Sequence, residues 1–393
     1  MSEWKEYKLA DIIDEISMGP FGSNIKVDCF VGQGVPVLNG SNLIGFKLCE
    51  KSFNYVTKEK ADSLGHSNAY RGDVIVTHRG TLGQIVYIPT DSKYERYVIS
   101  QSQFRFACNK DIIDAAFLVF YFHSREGQYK LLSNASQVGV PALARPTSTF
   151  KELYIKLPCI EEQKQISGVL SSLDDKIDLL HRENATLEAL AETLFRHYFI
   201  ENPDPTWKEG KLGDEFNFTM GQSPSGDSFN EDGIGIPMYQ GNADFGFRFP
   251  TRRVYTTAPT RFAEENDTLI SVRAPVGAQN MASEKCCIGR GVAAFRHKDK
   301  SLYSYTYYKL KSLLEDIRQF NDNGTVFGSI SKSDFENIDI VIPNRDRIVA
   351  FQKQALPIDE KIRTNYKQIL VLSAQRDSLL PRLMSGETKV TGQ

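Results

Sequence analysis

The chain repeats itself, and a duplicated plan rules out most single-core folds before any element is assigned. Trp4-Lys5-Glu6-Tyr7-Lys8-Leu9-Ala10-Asp11 is answered by Trp207-Lys208-Glu209-Gly210-Lys211-Leu212-Gly213-Asp214, and these hold the only two tryptophans. Gly34-Val35-Pro36 and Gly40 are matched by Gly235-Ile236-Pro237 and Gly241. Asp73-Val74-Ile75-Val76-Thr77-His78-Arg79, followed by Gly83, corresponds to Asp267-Thr268-Leu269-Ile270-Ser271-Val272-Arg273, followed by Gly277. Each reads as a buried strand entering a turn that glycine permits. Phe150–Pro158 (FKELYIKLP) corresponds to Phe335–Pro343 (FENIDIVIP), alternating strand patterns closed by proline. From there residues 166–199 align with 351–384 at a constant offset of 185. The break between copies is Glu201-Asn202-Pro203-Asp204-Pro205, whose prolines and polar residues read as a linker.

With 393 residues, 41% of them hydrophobic, the chain can bury two or three cores and is not a disordered polymer. The first twenty residues carry no apolar signal region and no later stretch has bilayer length, so a cytoplasmic protein is expected. Six cysteines, at 29, 49, 108, 159, 286 and 287, include no C-x-x-C pair, which points to reduced, mostly buried thiols. A net charge of -2 means that any surface for an anionic partner must be local.

Alternating steps of four and three residues expose two apolar seams. The first is Ile166, Leu170, Leu173, Ile177, Leu180, Asn184, Leu187, Ala191, Leu194 and Tyr198; the second is Phe351, Ala355, Ile358, Ile362, Asn365, Ile369, Leu372, Arg376, Leu379 and Leu383. Each is a heptad seam with one Asn, the residue that fixes register at a cost in stability. Antiparallel pairing of residue 182+x with 367−x sets Asn184 opposite Asn365, and these two amides are expected to meet. Residues 158–200 carry four Lys/Arg against eight Asp/Glu and residues 343–393 nine against five, so fields of about -4 and +4 favour the same pairing. Pro357 should kink the second helix or postpone its start. The expected fold is α+β: two similar mixed, β-rich domains over 1–157 and 206–342, joined by two long antiparallel, coiled-coil-like helices over 158–200 and 343–387. The repeat is pseudo-two-fold, with a linker at 201–205 and a tail at 388–393.

These residues resemble the specificity subunits of type I restriction–modification systems. The likeness runs the length of the chain: duplicated domains opening near W-x-x-x-x-L, the D-x-x-[IL]-x-x-R-x-x-x-G turn, and a strand ending in Pro. The motif P-x-x-E-E-Q at Pro158–Gln163 then opens a helix, and Leu383-Met384-Ser385-Gly386-Glu387 closes the second. One departure is Asp346-Arg347-Ile348 where the first copy has Glu161-Glu162-Gln163. The resemblance implies a non-catalytic subunit whose two target-recognition domains each read half of a bipartite, asymmetric target in double-stranded DNA. It also implies two methyltransferase subunits docked on the helices and two restriction/translocase subunits outside them. S-adenosylmethionine, ATP and magnesium would then be used on those other subunits and no cofactor bound by this chain. A rod of roughly 50 Å, at about 1.5 Å per residue, exceeds one turn of B-DNA, about 34 Å.

Catalytic motifs are missing. Asn202-Pro203-Asp204-Pro205 lacks the second adjacent proline and the aromatic residue of a methyltransferase tetrad. Gly221-Gln222-Ser223-Pro224-Ser225-Gly226 misses the nucleophile-elbow spacing by one residue, and no phosphate-binding G-x-x-x-x-G-K-[ST] loop is present. A stand-alone bipartite DNA-binding regulator, and a two-domain enzyme with an unrecognised site, are the competing readings.

Side chains shared by both copies cannot explain how two half-sites differ, so Arg79 and Arg273 suit phosphate contact or turn structure. Unlike polar residues in equivalent loops are the candidates for base edges, because Asn and Gln grip adenine and Arg grips guanine. In the first copy these are Ser23, Asn24, Asn39, Ser41, Asn42, His78, Thr81, Gln101, Gln103 and Gln137; in the second, Gln222, Ser225, Gln240, Asn242, Arg290, Asn323 and Thr325. Arg248, Arg252, Arg253 and Arg261 form a basic cluster in the sequence, and near-zero net charge predicts weak DNA binding by the chain alone.

Overall fold

The opening and closing motifs of each copy lie side by side in the computed structural model, which describes residues 4–136, 139–273, 275–314 and 330–390. Strand Lys5–Lys8 pairs antiparallel with Tyr154–Leu157, Lys5 opposite Leu157; strand Lys208–Lys211 pairs in the same way with Asp339–Ile342, Lys208 opposite Ile342. The closing strands are shorter than their alternation suggests. Phe150 belongs to a short helix, Pro146–Lys151, started by Pro at its first turn, and Phe335 to Lys332–Glu336, started by a capping box between Ser331 and Asp334. Both phenylalanines are buried core anchors placed just before the strand begins.

The chain forms two compact units, residues 1–179 with 368–393 and residues 180–367. In the first, one sheet has the order Ile13–Met18, Gln103–Cys108, Val74–Thr77, Ile85–Tyr87, all antiparallel. A second has the order Asn54–Val56, Val35–Val37, Arg96–Val98, Asn68–Tyr70, with one parallel pair, Val37 against Val98. The other unit repeats both. Its first sheet runs Phe216–Met220, Val292–His297, Thr268–Ser271, Gln279–Met281, and its second, five-stranded, keeps the parallel pair between Ile236–Tyr239 and Cys286–Ile288. Val74–Thr77 and Thr268–Ser271 are inner strands with every residue buried, which is why they read as apolar runs instead of alternating. Against the first sheets pack helices Ala115–His123 and Tyr303–Ser312; Phe117 through Phe122 are all buried.

Two helices of 40 residues, Ile160–Phe199 and Arg345–Met384, give part of their length to each unit. In the first unit Ile166 and Leu170 share a core with Leu380 and Leu383, and Arg376 Nη1 meets Asp174 Oδ1 at 3.0 Å. In the second, Tyr198 packs on Phe351 with ring centroids 5.9 Å apart, and Asn365 Nδ2 donates to Asn184 Oδ1 at 2.9 Å. Within that unit 184 meets 365 and 198 meets 351, so the segments run antiparallel, and the partner numbers follow the seam arithmetic. Lys361 and Glu183, at 3.3 Å, add one of the opposite-charge contacts.

Of the two expected effects of Pro357, the postponed start is overturned: the helix starts twelve residues earlier, at Arg345, and continues through Pro381 as well. Pro357 and Lys353, whose carbonyl loses its i+4 donor, are both exposed, so water can satisfy the freed acceptor. The departure Asp346-Arg347-Ile348 also has a structural answer. Gln163 is fully buried and ties the first long helix to the loop before Ala115, accepting from Asp114 N–H at 3.0 Å and donating to Ile112 O at 2.9 Å. In the second unit Gln352, one turn further along its helix, takes up that task by accepting from Tyr305 N–H at 3.0 Å, while apolar Ile348 is buried.

Among the described residues all six cysteines are free thiols, three of them buried and Cys159 exposed, and no helix is long and apolar enough to cross a membrane.

Candidate nucleic-acid interface

Four loops of the first unit converge at the same ends of its sheets. The segment after Met18 is pinned where Gly19 N–H donates to Gln103 O at 2.8 Å. The turn after Thr77 is tied to the loop before Gln103 by His78 N–H to Ser102 O at 2.9 Å, and His78 Nε2 lies 3.1 Å from Gln101 O. Since that carbonyl only accepts, Nε2 carries the proton in this contact. Burial of the half-buried ring lowers its pKa, against the hydrogen bond to Gln101, so His78 is neutral at pH 7. The fourth loop joins through Gln84, which accepts from the Thr77 hydroxyl at 3.0 Å and donates to Gly40 O at 3.1 Å.

The second unit assembles the equivalent segments by two matching backbone bonds and a third of its own. Gly221 N–H donates to Val292 O at 2.9 Å, Val272 N–H to Gly291 O at 2.9 Å, and Gly289 N–H to Tyr239 O at 2.8 Å. Ser271, where the first copy has Thr77, donates its hydroxyl to Pro275 O at 2.8 Å and accepts from Ala278 N–H at 2.9 Å. Both turns close on a glycine in the left-handed region, Gly83 at φ +87° and Gly277 at φ +86°, where a side chain is strained. Asp73 and Asp267, the acids that open the motif, are buried and cap the preceding turns by accepting from Tyr70 N–H and Glu264 N–H at 2.9 and 2.8 Å. Each also meets an arginine of its sheet: Arg105 lies 3.2 Å from Asp73, and Arg296 binds both oxygens of Asp267 at 2.5 and 2.6 Å.

The sequence candidates separate into two groups on this frame. Asn24, Ser41, Arg79, Thr81 and Gln101 are exposed in the first unit, as are Gln222, Ser225, Gln240, Asn242, Arg273 and Arg290 in the second. Asn39 is half-buried and caps a short turn, accepting from Ser41 N–H at 2.8 Å. Asn42 and Gln103 are fully buried, with Asn42 donating to Cys49 O and Lys51 O at 3.0 and 2.8 Å and Gln103 accepting from Ser100 N–H at 2.9 Å. They shape the loops and present no edge to a ligand. The Ser23 side chain, Gln137, Asn323 and Thr325 lie outside the described residues.

The basic cluster read from the sequence is largely dissolved. Arg248 is buried: its guanidinium stacks 3.3 Å from the Tyr307 ring centroid and pairs with Asp359 at 2.5 Å and Glu188 at 3.7 Å. Arg252 and Arg253 are paired with Glu284 at 2.5 Å and Asp244 at 2.6 Å, and Arg261 is exposed. Sequence reading also missed Gln84 and Thr77 as the ties between loops. The recurrence of a hydroxyl residue at 77 and 271 was the available signal, since what both copies share builds the frame.

Residues 1–189 and 205–369 match the family model described as type I restriction modification DNA specificity domain. The chain is 26% identical over 407 residues to the putative type I restriction enzyme MjaX specificity subunit of Methanocaldococcus jannaschii, covering 99% of this chain and 94% of that protein. It is 22% identical to the type I restriction enzyme HindI specificity subunit of Haemophilus influenzae, covering 98% and 100%. Among solved structures, the type I restriction–modification system S subunit from M. genitalium shares the fold at TM-score 0.63 and 18% identity, over 99% of this chain and 97% of that one.

Proposed function

The chain belongs to the type I restriction modification DNA specificity family as a non-catalytic, DNA-recognising specificity subunit, and from that premise we propose that each unit reads one half of a two-part target. The observation that carries this reading is the pair of equivalent loop faces, pinned by matching backbone bonds at Gly19 and Gly221 and at His78 and Val272, yet bearing different exposed polar side chains. Shared frame with unlike edges is what two readers of unlike sequences require. Arg79 and Arg273, exposed at the same place in both, serve as phosphate contacts.

A specificity subunit works in a complex with other subunits. The finer assembly that we propose has two methyltransferase subunits on the long helices and two restriction/translocase subunits outside them, with S-adenosylmethionine, ATP and magnesium bound there, in the cytoplasm. Carboxylates pair Arg248, Arg252 and Arg253, so much of the positive field for DNA has to come from those partners, and the isolated chain should bind DNA weakly at physiological salt.

Genome-wide methylation mapping tests the reading. Cells expressing this chain with its methyltransferase subunit should show a two-part motif, and exchanging residues 206–342 for another domain should change one part only. Methylation with no motif, or a motif indifferent to the exchange, overturns it.

A further inference from the structure

Phe21 is 84% exposed, at the tip of the first unit's converging loops and beside candidate base readers. A large aromatic side chain in that position leaves its apolar surface unburied in the free protein. The loop is not slack. Gly19 N–H is bonded to Gln103 O, Asn24 N–H donates to Phe21 O at 2.8 Å, and the Gln101 amide lies against Gly22 so closely that an added Cβ would sit 2.2 Å from its oxygen. Phe21 is therefore held out by its frame.

The second unit fills the same place differently. Counting from the pinned glycines, Gly19 and Gly221, Phe21 corresponds to Ser223, and Gln101 to Arg290. Ser223 Oγ folds back to accept from Arg290 N–H at 3.3 Å. An apolar ring beside a glutamine has thus become a hydroxyl beside an arginine. Thymine is the one base that offers an apolar group, its C5-methyl, in the major groove, and glutamine pairs with the adenine edge.

Resting on the two-reader account, we infer that Phe21 is a specificity-determining residue that packs on a thymine C5-methyl in the first half-site, with Gln101 reading an adenine beside it. The second unit has no equivalent contact.

The test uses the assembled complex with its methyltransferase subunits and duplexes in which each thymine of the first half-site is replaced in turn by deoxyuridine. One replacement should weaken binding by about fourfold, the worth of one buried methyl group. Phe21→Ala should remove that sensitivity and Phe21→Leu retain part of it, while both variants keep the Tm of the parent because the ring is exposed. Equal losses on thymine and deoxyuridine duplexes, or no sensitive thymine, overturn the inference. If 2-aminopurine fluorescence rises at a base step with no deoxyuridine effect, Phe21 is a wedge and not a methyl reader. A complex that still reads two half-sites but shows no coupling to Phe21 sinks this inference alone; a complex with no two-part preference sinks the reading beneath it.

Discussion

Arg248 shows how burial reverses the meaning of a residue. A guanidinium among three other arginines in sequence suggests a phosphate-binding patch, yet this one is enclosed by Tyr307, Tyr308, Asp359 and Glu188. Replacing it with methionine leaves buried Asp359 without its cation, while Glu188 keeps Lys311, and the expected loss is about 3–5 kcal/mol, seen as a drop in denaturation midpoint without a change in m-value. Asp73 offers a pH signature. Burial raises its carboxyl to about 6, with Arg105 only partly opposing. A raised folded-state pKa means stability that is full below the unfolded value near 4 and lost as pH rises through 6. The Tm advantage of the parent over Asp73→Asn should therefore shrink between pH 4 and pH 7, and a gap that widens would refute this placement of the proton. Which candidate side chains stay exposed was only partly legible in the sequence. Asn42 and Gln103 have the right chemistry for base edges, but loop curvature turned them inward to satisfy buried backbone groups, which no local pattern records.

At the scale of elements, the long helices were the most legible part of the chain, because a seam sustained through most of each 40-residue helix leaves few alternative pairings. The Asn184–Asn365 contact follows from that seam, and Pro357 does not postpone the second helix because its cost depends on whether the orphaned carbonyl reaches water. Asn365→Leu alone should cost about 1–3 kcal/mol by leaving the Asn184 amide buried and unpaired. Leucine at both positions should recover that loss or exceed it, while loosening register. Cysteine at Leu187 combined, in separate variants, with cysteine at Ile358, Ile362 or Tyr366 would report the difference: efficient disulfide formation only with 362 in the parent, and a spread over the three pairings in the double-leucine variant. Register as tight as the parent's would show that the apolar seam suffices. The closing strands were over-read for the opposite reason, since an alternating pattern does not reveal that capping residues such as Ser331 start a helical turn first.

At the scale of the whole molecule, duplication was plain in the sequence, whereas the division into units was not. Each compact unit takes residues from both long helices, so the boundaries run through helices and not only at the linker. On the two-reader account, matched insertions of four residues in both helices, about 6 Å of rise, should lengthen the unread spacer in methylation maps and leave both half-sites unchanged; an altered half-site would show that the helices take part in reading. The buried pairing of Arg248 carries a consequence for inheritance. Arg248 lies within the exchangeable stretch 206–342, but its acceptors Asp359 and Glu188 lie on the long helices. A lineage that acquires new specificities by recombining reading domains is then not free to take any donor. On the two-reader account, a donor without a cation at this position leaves Asp359 buried without its counter-charge, and the resulting chain should be destabilised by about 3–5 kcal/mol. On that account the helices would restrict which donor domains the chain can carry.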